Sequence, residues 1–116
     1  LVRRICNECR EEYALSREEK DVFQSVFKQP APEKLFKGAG CNKCNNTGYR
    51  GRMAIHEMLV MTPEIRQLVA DEESGDKIRE TALAQGMVPL LMDGLARVRE
   101  GLTTMQEVIR VAFAEF

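Results

Sequence analysis

No Gly-x-x-x-x-Gly-Lys-[Ser/Thr] run occurs anywhere in this chain. That loop cradles nucleotide phosphates with backbone N–H groups and a lysine, so this stretch is not expected to bind or hydrolyse ATP by itself. No apolar run approaches the ~18 residues of a membrane span. The chain opens Leu1-Val2-Arg3-Arg4-Ile5, with no Met and nothing resembling a targeting segment, and reads as a piece of a longer protein that begins inside a strand. A dense basic face is also missing. Residues 1–61 carry a net charge of +3 and residues 62–116 a net of −4, a poor footprint for nucleic acid. No internal repeat or low-complexity stretch appears. The 44% apolar share is ample for one globular domain, or for two small units sharing a core.

What is present begins with four cysteines, the only ones in the chain, in two pairs: Cys6-Asn7-Glu8-Cys9 and Cys41-Asn42-Lys43-Cys44. Each Cys-x-x-Cys turn presents two thiolates to one metal, and two turns complete a tetrahedral site with no open position for water. The expected occupant is one structural zinc. The 31 residues between the pairs can hold a helix and a strand of their own. Three other readings compete. A disulfide framework suits small secreted chains, and both pairs are too tight for ordinary bridges. A thioredoxin-like pair needs a helix start, whereas Cys44 leads into the turn signal Asn45-Asn46-Thr47-Gly48. The zinc repeat of the J-domain chaperones is echoed from Cys41 to Gly48, but with two pairs in place of four. Reduced thiols on zinc suggest the cytoplasm.

Periodicity and capping signals order the rest. A short strand over residues 1–5 runs into the first cysteine turn. Ser16-Arg17-Glu18-Glu19 is a capping box for a helix bearing Val22, Phe23, Val26 and Phe27, ended by Gln29-Pro30-Ala31-Pro32. A strand is expected within residues 33–40, with Leu35 and Phe36 feeding a small core. Residues 48–61 read as a long strand, apolar on both faces and therefore buried on both. Glu57 on it needs a cationic or hydrogen-bonding partner. Thr62-Pro63 starts a helix carrying Ile65, Leu68 and Val69. A second follows Ser74, with Ile78, Ala82 and Leu83, and stops at Gly86. A third runs from about Pro89 to Glu100, with Val88, Leu91, Leu95 and Val98 on one side and Gly101 as terminator. Thr104-Met105-Gln106-Glu107 caps the last, striped by Met105, Val108, Ile109, Ala112 and Phe113. The expected fold is α+β: a zinc-pinned strand and helix subdomain over residues 1–61, then a four-helix subdomain over residues 62–116.

The run Gly40-Cys41-Asn42-Lys43-Cys44-Asn45-Asn46-Thr47-Gly48-Tyr49-Arg50-Gly51-Arg52, followed by Ile55-His56-Glu57, resembles the tetracysteine signature of the type II secretion and type IV pilus-assembly ATPases. Leu1-Val2-Arg3-Arg4-Ile5-Cys6-Asn7-Glu8-Cys9 is similar to the entry into the same segment. Met87-Val88-Pro89-Leu90, Asp93-Gly94-Leu95, and Gly101-Leu102-Thr103-Thr104 with Glu107 look like the family's final helices. The resemblance implies the C-terminal structural and interaction module of a hexameric motor. Its RecA-like, ATP- and magnesium-binding core would precede Leu1. The implied partners are neighbouring subunits, an inner-membrane platform protein and the pilus or secretion machinery, at the cytoplasmic face of the membrane. The implied metal ligands are Cys6, Cys9, Cys41 and Cys44, and no catalytic residue falls within the chain. Retraction motors of the superfamily generally lack the tetracysteine unit, so its presence favours assembly or secretion.

Outside the cysteines the candidates are weaker. Arg50 and Arg52 share a strand face and can meet a neighbouring subunit or the nucleotide edge of the core; solvated or carboxylate-paired arginines shielding the thiolates are the commoner outcome. His56 as a fifth zinc ligand is redundant beside four sulfurs. Arg10 and Lys43 are placed to offset thiolate charge. Glu57 as a general base has no nucleophile or open metal beside it. The alternative to a motor module is a free-standing zinc-ribbon-like module that binds nucleic acid or protein, which the charge distribution disfavours. A stand-alone enzyme is opposed by the closed metal site.

Overall fold

The structure is a computed structural model that describes residues 1–112 of the 116. Its strands are β1 (Val2–Ile5), β2 (Arg10–Ala14), β3 (Lys34–Gly38) and β4 (Tyr49–Met53). Its helices are α1 (Arg17–Phe27), α2 (Pro63–Ala70), α3 (Gly75–Ala84), α4 (Leu90–Arg99) and α5 (Met105–Ala112). The fold class is α+β, as the pattern of strands followed by four helices implies. The strands form two separate antiparallel ribbons, β1 with β4 and β2 with β3. β1 leads into the first cysteine turn and β2 leaves it; β3 leads into the second and β4 leaves it. The chain therefore changes ribbon at each cysteine pair.

Local chemistry accounts for most boundaries. Ser16 accepts from the Glu19 N–H at 3.2 Å, and the Glu19 carboxylate accepts from the Ser16 N–H at 3.0 Å, a complete capping box. Thr62 and Ser74 cap α2 and α3 through their hydroxyls. β2 was not anticipated, because Arg10, Glu11 and Glu12 carry no apolar alternation. It is held instead by its ladder to β3 and by the cross-strand pairs Glu11–Lys37 and Glu12–Lys34, at 3.8 and 3.5 Å.

The two compact units do not follow the expected division at residue 61. One joins residues 1–55 to the described residues from Leu90 onward; the other is His56–Pro89. The reason lies in the first unit's core. Val2, Leu15, Phe23, Leu35 and Ile55 from the first half interleave with Leu91, Leu95, Val98, Met105, Val108 and Ala112 from the end of the chain. The two ends of the chain share this core, and α4 and α5 supply six of these eleven side chains. At Gly94 a Cβ would stand 2.5 Å from Val108 Cγ1, so the missing side chain is what lets α4 and α5 approach. Backbone groups join in. The Ile5 N–H donates to Leu102 O at 2.9 Å, and the Thr103 hydroxyl donates to Arg3 O at 2.7 Å. Residues 102–107 thus line the side of β1 away from β4.

In the second unit, α2 and α3 pack as a pair around buried Ile65 and Ala82. The expected stripes are incomplete there. Val69, Leu83 and Val88 are exposed. The expected long strand over residues 48–61 is also corrected. It ends at Met53, opposite Val2. Residues 54–62 are irregular, and Met58, Leu59, Val60 and Met61 are exposed where burial on both faces was expected. Of the last helical stripe, Ile109 is partly exposed, and Phe113 lies outside the described residues.

Candidate metal centre

Cys6 follows β1 directly, Cys9 precedes β2, and a single 3-10 turn at Asn42–Cys44 follows Cys41 between β3 and β4. Two long hydrogen-bonded connections fix the turns against each other. The Cys6 N–H donates to Gly48 O and the Ala39 N–H to Cys9 O, both at 3.0 Å. Gly38 and Gly48 make this crossing feasible. A Cβ on Gly38 would lie 2.1 Å from Gly48 O, and Gly48 itself has φ +83°. Asn45 and Asn46 also adopt positive φ, of 55° and 61°, in keeping with the tolerance of asparagine for that region.

The four sulfurs lie within 4.8 Å of one another. Cys6 to Cys41 and Cys9 to Cys44 are 3.8 Å apart, and Cys41 to Cys44 is 3.7 Å. Metal–sulfur bonds of about 2.3 Å in a tetrahedron place sulfurs about 3.8 Å apart. All four cysteines are free, and their spacing fits a shared tetrahedral ion. Three backbone N–H groups point at the sulfurs from 3.3 Å: Gly40 to Cys9, and Cys41 and Gly48 to Cys44. These bonds favour thiolate. At Cys44, burial raises the thiol but the N–H groups of Cys41 and Gly48 outweigh it and bring the pKa to about 6. At Cys9, burial dominates over the single bond from Gly40 and raises the pKa to about 12, a resistance that a cation would remove. Cys6 and Cys44 are buried, and Cys9 and Cys41 are half-buried. The donor set therefore fits a thiophilic tetrahedral ion, with all four positions taken by protein.

None of the other candidates makes a recorded contact with a sulfur, although Lys43 sits within the Cys41–Cys44 turn. Arg50 and Arg52 are exposed on β4. Arg10 does not serve the thiolates; its guanidinium lies 4.9 Å above the Phe36 ring and donates to Gly101 O at 3.3 Å. His56 is exposed and Lys43 is exposed. Glu57 meets Arg79 at 3.3 Å, the cationic partner its place called for.

A second polar centre escaped the sequence reading. Glu107, 1% exposed, accepts from the Arg3 N–H at 2.8 Å and ion-pairs with the guanidinium groups of Arg3 and Arg110, both at 3.0 Å. Burial opposes its ionisation, but the bonds from Arg3 and Arg110 overcome that and hold its pKa at about 2. Arg3 also stacks on Tyr49 at 4.1 Å, and the Tyr49 hydroxyl meets that of Thr104 at 2.7 Å. Thr104 does cap α5 by accepting from the Glu107 N–H. The reciprocal bond of a capping box is replaced by the reach to β1. The signal available was the spacing of Thr103, Thr104 and Glu107, which reads locally as a cap.

Fold and cysteine cluster together define a small α+β module with a closed four-sulfur cluster that could hold a metal ion. The chain belongs to the family described as type II/IV secretion system proteins, whose pattern matches residues 1–110. It is 38% identical over 111 residues to a type II secretion system ATPase E of Vibrio cholerae, covering 96% of this chain and 22% of that protein. It is 39% identical over 109 residues to the type IV pilus assembly ATPase PilB of Thermus thermophilus, covering 94% of this chain and 12% of the relative. It is 31% identical over 111 residues to the type IV pilus assembly ATPase TfpB of Acinetobacter baylyi, covering 96% and 19%. The chain thus spans about a fifth or less of these curated relatives. Among the described residues no helix is long and apolar enough to cross a membrane.

Proposed function

We propose that this chain is the C-terminal structural module of a hexameric motor ATPase that drives type II secretion or type IV pilus assembly, and that its four cysteines hold one zinc ion. The observation that carries the reading is the closed four-sulfur cluster in a chain of this family. Zinc with four thiolates keeps no open position, so when bound it supplies rigidity and no catalysis. The two ribbons and α1 are locked at the turns where the chain changes ribbon, and α4 and α5 are fixed on the same body through Glu107. A rigid body of this kind suits the bracing of neighbouring subunits during ATP cycles. ATP and magnesium belong, in this reading, to the part of the parent before Leu1. The platform protein and the secretion or pilus machinery are the partners at the cytoplasmic side of the membrane. Nucleic acid is not a partner.

The test uses the full-length parent. One zinc per chain is expected beyond any bound elsewhere, released in step with titration of four thiols. Cys44→Ser is expected to abolish that equivalent and lower both ATPase rate and pilus or secretion output. The isolated chain is expected not to bind ATP. Micromolar ATP affinity in the isolated chain, or full output from a parent lacking this zinc, overturns the proposal.

A further inference from the structure

The four sulfurs of the cluster are not equivalent. Cys44 is buried and accepts the N–H groups of Cys41 and Gly48, both at 3.3 Å. Cys9 is half-buried and accepts the N–H of Gly40 at 3.3 Å. Among the described residues no backbone N–H reaches the sulfur of Cys6 or of Cys41. Cys6 is 1% exposed, whereas Cys41 is half-buried. Cys41 therefore combines access to solvent with a sulfur that takes no backbone donor. The turn itself causes this. The N–H of Cys41 is aimed at Cys44, so the first cysteine of the pair lends a donor and gains none.

Both differences act on reactivity in the same direction. A thiolate attacks through a sulfur lone pair, and a hydrogen bond on that sulfur must be loosened in the attack. A buried sulfur meets little reagent. Cys41 also has resolving sulfurs at hand, Cys44 at 3.7 Å and Cys6 at 3.8 Å. The distances are alike, so the donors decide. Cys44 would give up two N–H bonds to react, and Cys6 gives up none. Cys6 is brought beside Cys41 from 35 positions away and is held there by the bond from its own N–H to Gly48 O.

We propose that Cys41 is a site of oxidative modification by hydroperoxides, with Cys6 as its resolving partner. The Cys41 thiolate attacks one oxygen of hydrogen peroxide; the O–O bond breaks, and a sulfenic acid and hydroxide form. The Cys6 thiolate then attacks the Cys41 sulfur, expels a second hydroxide and forms the Cys6–Cys41 disulfide. Over both steps two thiolates give up two electrons, and one hydrogen peroxide becomes two hydroxide ions. Cys9 and Cys44 stay reduced. Two sulfurs do not complete a tetrahedral site, so the ion is lost. The new bond joins the end of β1 to the turn after β3 and keeps the two cysteine turns together without metal. A thiol reductant reverses the disulfide and restores all four ligands. The inference rests on reading the cluster as a zinc site, and it makes that staple responsive to oxidant.

Two measurements on the unaltered, zinc-loaded, full-length parent test it. Limiting iodoacetamide, followed by peptide mapping, is expected to leave at least about fivefold more adduct on Cys41 than on Cys9, the other half-buried cysteine. Limiting hydrogen peroxide is expected to give the Cys6–Cys41 disulfide, with Cys9 and Cys44 still open to alkylation and one zinc released per disulfide. Dithiothreitol with added zinc is expected to restore the starting state. Equal or preferential labelling of another of the four cysteines overturns the proposal. So does any other disulfide among them, zinc retained while the disulfide forms, or a cluster that excess peroxide leaves reduced. A parent without zinc at this site defeats the earlier reading and this one together. A parent that holds the zinc but oxidises in another order defeats this one alone.

Discussion

Glu107→Gln is the most informative single substitution in the first unit. It keeps the shape of the side chain, removes the charge that Arg3 and Arg110 share, and turns one of two accepting oxygens into an N–H donor that faces arginine donors. In the folded protein the carboxylate's pKa is held at about 2, against an ordinary value of 4.5. At about 1.36 kcal/mol per unit, that difference corresponds to ~3 kcal/mol of stability at neutral pH. An independent estimate agrees: breaking one partner out of a buried ion pair costs about 3–5 kcal/mol, reduced here because both arginines are half exposed. For a chain of this size, a loss of ~3 kcal/mol lowers the melting temperature by on the order of 10 °C. The sign with pH follows from the depressed pKa. The stabilisation is complete above about pH 4.5 and is lost as pH falls toward about 2. The assay is denaturant unfolding of the metal-loaded wild type and variant from pH 7 to pH 3. Acid also strips metal from thiolates, but in both proteins alike, so the difference between them is the quantity to read. A difference below about 1 kcal/mol at pH 7, or one that stays constant down to pH 3, would refute the assignment of a charge-dependent tie between α5 and β1.

Gly48→Ala is expected to cost several times the ~1 kcal/mol of an ordinary strained glycine replacement, because its Cβ would lie 2.5 Å from Gly38 O while φ is +83°; metal retention under a competing chelator checks it, and unchanged retention counts against the crossing as a fixed element. Cys44→Ser is expected to lower hydrogen-exchange protection in β1–β4 and also in α4 and α5, since these share one core, with α2 and α3 affected less. Equal loss throughout would make the chain a single cooperative body.

Where the sequence carried a complete local instruction, it was readable. Ser16 with Glu19, Thr62 with Pro63, and Ser74 each specify a helix start within four residues, and each helix begins there. The cysteine turns belong to the same class, because a Cys-x-x-Cys spacing fixes its own geometry. The rest depended on distant residues. β2 is a ribbon of charged side chains whose only instruction is the ladder to β3. The division into units was misjudged because the stripes of α4 and α5 say that a face is apolar but not which surface it meets. Glu107 reads as the third residue of a cap until Arg3, 104 positions earlier, is seen beside it. The alternation over residues 54–61 reads as a buried strand, yet the segment is irregular and Met58, Leu59, Val60 and Met61 are exposed, because alternation says that two faces are apolar and not that anything covers them.

The bond between Arg3 and Glu107 also sets an order of events during synthesis. β1 is made about a hundred residues before the segment that lines its far side and closes the core above Val2. At about 5–20 residues per second, the ribosome needs on the order of ten seconds to pass from one partner to the other. Through that interval Val2, Phe23 and Leu35 await the helices that cover them. The cysteines need no such delay, since all four exist once Cys44 has emerged. A metal captured at that point would pin the first three strands at their turns while the core is still open, a clamp on the nascent chain ahead of any role in the finished protein. Scarcity of metal would then be felt first in the yield of folded protein, and only afterwards in the performance of molecules already made.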